Sequence, residues 1–555
     1  MKQTESALEY YYHPMPIRND ENNLLYAHSE QFGEIGGRIE FLSYFGVFSV
    51  GKLRKYTEIR NFGVRYDTDK YARGELICVL SNGTESVIAA IECSGEAELT
   101  ADIKNVPDEA VLAYLRLTAK EDGARLNSCF AVYGGISSAT PDIALISCTY
   151  KREEYIKKNI RYIVDESAMN DLPVTAIVVD NGGTLNSDDF PEGTVLIHNI
   201  NNGGSGGFSV GMQRASQMKR FTHFINMDDD VSVDFLSFQK LYAFLKYLKP
   251  QYSDIAVSGS MLFSDEPYIQ FEAGGYFDKS GKQKGYGYLF DLSSRCGIIN
   301  NEADNKINYG GWWFMCMPMK CVDDGALPLP FFIKYDDVEY ALRCGLHIIT
   351  LNGVGVWHER FENKFNSATV YYNTRNYLHL CERYCGFDKK AIRRYIRKAV
   401  TEYVCRQQYN MADAAKQGYC DYLKGMKYLE SLDAEKRHAE ISALNYKIMT
   451  REELEKISGI TDFEGEIEKS NKAQYKPYMR WSLYGGLLPR FVRKKTIVVP
   501  VACDRKEMYY GADAVVHYNA KNRTGYITIS NIKSAVKYAE LIKLTKTEKQ
   551  ERSIC

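Results

Sequence analysis

At 555 residues the chain exceeds one ordinary core, and domain sizes of roughly 100 to 200 residues predict about three folding units. Apolar and charged fractions of 45% and 25% are those of a globular protein, and a net charge of -1 supplies no global field for nucleic acid, which excludes it as a partner. The 14 scattered cysteines form no close-paired framework, the N-terminus lacks a basic-then-apolar leader and no stretch has about 20 apolar residues, so a cytoplasmic, soluble or peripheral protein with reduced thiols is expected.

Residues 1–137 read as a β-sandwich. Short alternating or β-branched runs such as ELICVL, SVIAAIEC, AYLRLTA and SCFAVYGG are separated by polar turns. They contain no cluster of candidate acids, bases or ligands, so a scaffold is expected, with a sugar-binding module as the alternative.

From residue 138 the rhythm changes. The apolar run DIALISCTY leads into REEYIKKNIRYIVDESAM, an amphipathic helix, and VTAIVVD, TVLIHN and THFINMD repeat the strand signature. Alternating strands and helices predict a mainly parallel sheet over residues 138–368, with ligands beyond the carboxyl ends of its strands. Residues 369–555 read as mainly helical, with short strands at TIVVP and GYITIS.

The strongest local signal is MDDD, residues 227–230, closing an apolar strand. Three successive carboxylates repel one another and suit a strand poorly, so a positive partner is expected. A divalent cation such as Mg²⁺ or Mn²⁺ suits carboxylate oxygens and also holds a diphosphate; a solvated acidic turn is the plain alternative. The glycine-rich stretch NINNGGSGGFSVG reads as a strand-to-helix loop at the same edge, where backbone can approach a ligand. It is neither a P-loop nor a complete dinucleotide fingerprint, because Ser209 takes the place of the last glycine. Asp180 ends another strand and could accept from a base or ribose, while Arg152 follows the first strand and could meet a nucleotide.

Farther on, Trp312 and Trp313 stand together in YGGWWFMCMP. Alternation along a strand would send one ring into the core and leave the other as a sugar platform. Asp336, Asp337 and Glu339 begin a helical run, where the macrodipole favours acids and where a carboxylate can also serve as general base. His358 follows a strand-like run, either as a structural histidine or as a further metal ligand. The basic, aromatic stretch 476–495 suits either a packed connector or a membrane surface.

The ordered motifs CTYKRE, VVDNGG, NNGGSGGFS, MDDD, GGWWFMCMP, LPFFIKYDDVEYALR and VWHE resemble the glycosyltransferase family 2 galactofuranosyltransferases related to the mycobacterial galactan polymerase. The match spans most of residues 143–376, and SYFGVFSVGKLRKYTEI is similar to the start of that family's β-sandwich. The resemblance implies a GT-A (Rossmann-like) α/β catalytic domain and transfer of galactofuranose, with inversion, from UDP-galactofuranose to a lipid-linked glycan. It implies metal binding (Mn²⁺ or Mg²⁺) by Asp228, Asp230 and His358 and UDP contacts from Arg152, Asp180, Asn202 and Asp229. It makes Asp337 the base with Asp336 beside it, and places Trp312 and Trp313 at the acceptor. A peripheral position on the cytoplasmic face of the plasma membrane and a homo-oligomer are compatible with this reading. Asn373 departs from the family, standing where the mycobacterial enzyme has histidine. A family relative using another UDP-sugar, a nucleotidyltransferase releasing pyrophosphate, and a glycan-binding protein without turnover are the competing readings.

Overall fold

The computed structural model describes residues 8–18, 23–137, 140–323, 325, 327–360, 366–483, 487–488, 495–501, 503–536 and 538. The chain divides into two compact units. One comprises Met1–Asp278, Lys282–Leu329 and Asp336–Arg360; the other comprises Lys279–Gly281, Pro330–Tyr335 and Phe361–Cys555.

The first unit opens with antiparallel strands β1 (Glu9–Pro14), β2 (His28–Glu30) and β3 (Arg38–Glu40), then the short helix α1 (Val50–Tyr56). Strands β4 (Ile59–Leu80), β5 (Glu85–Asp102), β6 (Ala110–Ala119) and β7 (Leu126–Gly135) follow. Their order is β1-β7-β4-β6-β3-β2, with β5 added to β4. At 22 residues β4 is long enough to serve two partners, pairing with β7 up to Thr68 and with β6 from Ala72 onward. The strands therefore form one continuous hydrogen-bonded sheet rather than two separate ones, with an irregular register between Thr68 and Ala72 where its halves meet.

Strands and helices then alternate through β8 (Ile143–Thr149), α2 (Glu153–Met169), β9 (Val174–Asp180), β10 (Val195–His198), α3 (Gly203–Met218) and β11 (His223–Asn226). Next come β12 (Ser232–Val233), α4 (Leu236–Lys246), β13 (Ile255–Ser258), β14 (Ser260–Phe263) and β15 (Ile269–Glu272). They are followed by β16 (Gly275–Phe277), β17 (Gln283–Gly285), β18 (Phe290–Asp291) and α5 (Arg295–Asn301). The unit closes with β19 (Met315–Pro318), α6 (Lys320–Asp323), α7 (Asp336–Cys344), β20 (His347–Ile349) and β21 (Gly355–His358).

The main sheet runs β10-β9-β8-β11-β19-β13-β20, and the first four of these strands are parallel. Ile143, Ala144, Leu145 and Ile146 are all fully buried, as a strand covered on both faces requires. After β8 the chain adds strands on one side and then returns to place β11 on the other. That reversal is a topological switch point between β8 and β11, and the carboxyl ends of strands at such a point are where open α/β sheets bind ligands.

Helix α2 buries Ile156, Asn159, Ile160 and Ile163, one face at helical spacing. Of the glycine-rich stretch expected as a loop, Asn199–Asn202 do lie outside any helix, but from Gly203 onward it is the first turns of α3. Its glycines serve close packing: a Cβ on Gly207 would lie 2.0 Å from the Cys148 sulfur, and one on Gly211 2.3 Å from Ile146.

A smaller sheet, β12-β21-β14-β15-β18, lies in the same unit. Because β12 begins two residues after the acidic triplet, the triplet lies on one of the links between the two sheets.

The second unit contains α8 (Ser367–Tyr384), α9 (Lys389–Cys405), α10 (Tyr409–Lys424), α11 (Met426–Ser431) and α12 (Ala434–Ser442). Asn366 and Asp388 cap the first two by accepting from the backbone of Thr369 and Ala391. Tyr371, Ile396, Val400, Ala415 and Tyr419 form their shared core. Then follow β22 (Met449–Thr450), α13 (Arg451–Ser458), α14 (Phe463–Asn471), β23 (Lys495–Pro500), β24 (Ala512–Asn519) and β25 (Thr524–Ile529). The four strands make a sheet in the order β22-β25-β24-β23.

Of the stretch read as a membrane contact, residues 484–486 and 489–494 lie outside the described residues. Among the described residues no helix is long and apolar enough to cross a membrane.

Candidate active site

The acidic triplet leaves β11 through Met227, whose N–H donates to the Ile146 carbonyl, and enters β12, which pairs with β21. This turn sends the three carboxylates different ways. Asp229 points into the protein, accepting from Thr149 Oγ1 at 2.7 Å and Arg152 Nη1 at 3.0 Å, while its carbonyl accepts from Asn159. Burial raises its carboxyl above the usual range, and the Thr149 hydroxyl and Arg152 oppose that shift.

Asp228 and Asp230 converge instead on His358, the last residue of β21. One ligand atom from each of the three lies within 4.8 Å of the other two. His358 is buried, with Nε2 3.3 Å from Asp230 Oδ1 and Nδ1 hydrogen-bonded to the Glu359 carbonyl. Because a carbonyl can only accept, Nδ1 carries a proton and Nε2 is the ring atom turned toward the carboxylates, the orientation of a metal-ligating imidazole. Two carboxylates and one imidazole fit Mn²⁺ or Mg²⁺ by donor type. Arg152 Nη1 lies 2.6 Å from Asp230 Oδ2 and so pairs with two members of the triplet at once.

Asp336 and Asp337 occupy the first turn of α7, with Asp337 Oδ1 accepting from the Val338 N–H. Burial pushes the Asp336 carboxyl up to about 8, reinforced by the charge of Asp337 and, less strongly, of Asp228. Glu339 is spent elsewhere, in a two-pronged pair with Arg343 one turn on. Glu272, at the end of β15, is the residue that the sequence did not single out. Burial pushes its carboxyl up to about 8 and Asp337 adds to the shift. A Cβ on Gly285 would lie 2.3 Å from its Oε2, so glycine there makes room for the acid. The only signal available was a glutamate ending an alternating run before two glycines.

The tryptophans depart from expectation. Trp312 and Trp313 lie in a turn ahead of β19, so strand alternation does not apply, and both residues are buried, each 6% exposed. Trp312 packs edge-on between Phe208 of α3 and Tyr340 of α7, and Trp313 donates to the Gly259 carbonyl. Neither is an open platform. Asp180 is fully buried, and its two oxygens accept from four backbone N–H groups, those of Gly182, Gly183, Thr184 and Leu185. Four donors match the capacity of a carboxylate, so Asp180 builds the loop after β9, and a contact to a base or ribose would displace one of them. Asp229 accepts from Thr149 and Arg152, two donors against a capacity of four, so its side chain is held without being saturated. Asn202 precedes α3 without a side-chain cap bond, and Asn181 ties that helix start to β9 by donating to the Gly203 carbonyl.

Fold and site together define an α/β unit with a candidate divalent-metal centre at its strand ends. No protein-family model matches the chain. It is similar to the galactofuranosyltransferase GlfT2 of Mycolicibacterium smegmatis, 24% identical over 441 residues and covering 72% of this chain and 66% of that one. The galactofuranosyltransferase GlfT2 of Mycobacterium tuberculosis is 23% identical over 435 residues, with 71% and 66% covered. These relatives bear out the resemblance read from the ordered motifs, and the chain spans a little under two thirds of their length. Among solved structures, GalNAc-T7 with UDP, GalNAc and Mn²⁺ has a TM-score of 0.33 at 13% identity, covering 56% of this chain and 59% of that one. S. aureus TarS 1–349 has a TM-score of 0.31 at 10% identity, covering 54% and 89%. At such TM-scores the likeness establishes neither fold nor function.

Proposed function

We propose that the chain is an inverting, metal-dependent glycosyltransferase that moves galactofuranose from UDP-galactofuranose to a glycan hydroxyl. The observation that carries the reading is the convergence of Asp228, Asp230 and His358 beyond the carboxyl end of β11; the mycobacterial relatives support the donor sugar. Asp228, Asp230 and His358 hold the cation, Mn²⁺ or Mg²⁺, which when bound supplies positive charge to a departing diphosphate.

The chain's own groups do the rest. Arg152 holds Asp230 in place and presents its exposed portion to the nucleotide, and the N-terminus of α3 beside Asn202 offers N–H groups to a phosphate. Asp337 takes the proton of the acceptor hydroxyl as that oxygen attacks the anomeric carbon opposite the leaving UDP. Burial and mutual repulsion favour a single negative charge on the Asp336–Asp337 pair, so Asp337 can act as the base without a second charge beside it. Trp312 sets the separation of α3 and α7 rather than stacking on sugar. An acceptor carried on lipid, with the chain peripheral to a membrane, extends the same reading.

Asp337→Asn tests the assignment of roles. It should lower kcat by roughly 10²–10⁴-fold, the worth of a positioned base, with UDP-sugar affinity retained. Transfer within a few-fold of wild type would remove Asp337 from the chemistry.

A further inference from the structure

In the second unit, the segment Pro330–Tyr335 carries three non-glycine residues in the left-handed region: Phe332 and Lys334 at φ 70° and Tyr335 at φ 64°. Side chains disfavour that region, so such a run persists only where its surroundings over-determine it. Here the surroundings are two adjacent residues of α8. Asn376 Nδ2 lies 3.2 Å from the Phe331 carbonyl, 2.9 Å from that of Ile333 and 2.8 Å from that of Lys334. Arg375 Nη2 donates to the Phe331 carbonyl at 2.7 Å, and its Nε donates to Asn376 Oδ1 at 2.8 Å, which fixes which way the amide faces.

Both residues are buried, at 2% and 0% exposure. A buried guanidinium is costly, and this one spends its donors on a carbonyl, an amide and the Tyr371 hydroxyl at 3.2 Å. Its plane lies near the rings of Tyr371 and Tyr372, and Tyr372 in turn stacks on Phe332 at 5.2 Å. The segment is thus held by its carbonyls and by its first left-handed side chain. Its continuation is the acid pair: Asp336 follows Tyr335 directly in the chain.

We infer that Arg375 and Asn376 are positioning residues that fix the strained backbone leading into Asp336 and Asp337 and so aim the catalytic carboxylate. The inference rests on the proposed base. Loosening the segment lets the first turn of α7 wander, and proton transfer fails when the base is misplaced by about 1 Å, which costs of the order of 10²-fold in rate. Substrate binding through Arg152 and the metal ligands is not routed through this segment. The signature is therefore a fall in kcat without a matching rise in KM.

The test compares Asn376→Ala, Arg375→Lys and the double variant Asn376→Ala/Lys334→Gly in the full chain, by steady-state kinetics and by hydrogen exchange of the peptide covering 331–338. Glycine accepts positive φ without penalty, so it should recover part of what the lost clamp gave up. Expected are a kcat reduced about 10- to 100-fold for Asn376→Ala, donor KM within about threefold, faster exchange over 331–338, and partial recovery in the double variant. A folded Asn376→Ala with wild-type kcat, or with unchanged exchange in that peptide, would overturn the clamp, as would a lost kcat that the glycine does not restore in any measure. Arg375→Lys keeps the charge but loses the fork, and should show the same exchange change even if Asn376→Ala is poorly soluble. If the wild-type protein transfers no sugar from any donor while exchange responds as expected, the proposed activity falls and the clamp stands.

Discussion

Replacing Asp228 with asparagine should move stability in opposite directions with and without metal. The ligand oxygens of Asp228 and Asp230 lie within 4.8 Å, which at an effective dielectric of about 20 amounts to roughly 3 kcal/mol of repulsion before screening. Arg152 offsets the charge of Asp230, and solvent reaches both acids, so relief of the order of 1 kcal/mol is expected on neutralising Asp228. In chelator the variant should therefore melt about 2 °C above the wild type. With Mn²⁺ at about one hundred times its dissociation constant the wild type should gain about 2.7 kcal/mol, and the variant should gain much less at the same concentration. Thermal unfolding in EDTA and across a Mn²⁺ series measures both. A variant that melts lower than wild type in EDTA yet keeps the full Mn²⁺ gain would refute both the repulsion and the ligand assignment.

Trp312→Ala removes a ring buried between α3 and α7 and should cost about 3–5 kcal/mol of stability by chemical denaturation; a loss of acceptor affinity at unchanged stability would restore the sugar-platform reading. Glu272 has a folded pKa raised from 4.5 to about 8, so between those values the folded state binds the extra proton and stability falls as pH rises, most of it gone above pH 8. Glu272→Gln should flatten that decline while matching wild type near pH 5, and parallel stability curves for the two proteins from pH 5 to 9 would rule out the shift.

The alternating strands and helices between residues 143 and 226 were legible because burial on both faces writes continuous apolar runs, as in Ile143–Thr149. The acidic triplet was legible because three carboxylates at a strand end have no structural use in that number. What each one does was not, since the turn into β12 sends Asp229 inward to Thr149 while its neighbours converge on His358, more than 120 positions away in sequence. Only the pairing of β12 and β14 with β21 brings that histidine to the site. The tryptophans were misread because strand alternation was assumed one turn too early. The glycine run was misread because a flexible loop and a tightly packed helix ask for the same residue, and only contact with Ile146 and Cys148 distinguishes them. Glu272 has no motif at all; its chemistry comes from burial near Asp337, which linear text does not record.

The most direct test of the central claim is release of UDP and growth of a galactofuranosyl acceptor over a panel of UDP-sugars, with Mn²⁺ or Mg²⁺ and then with chelator. Transfer from UDP-galactofuranose that stops on chelation and returns with the metal is the predicted result. Transfer from that donor at full rate in chelator would contradict the metal centre, and inactivity of the folded protein across every donor and acceptor would contradict the proposed reaction itself.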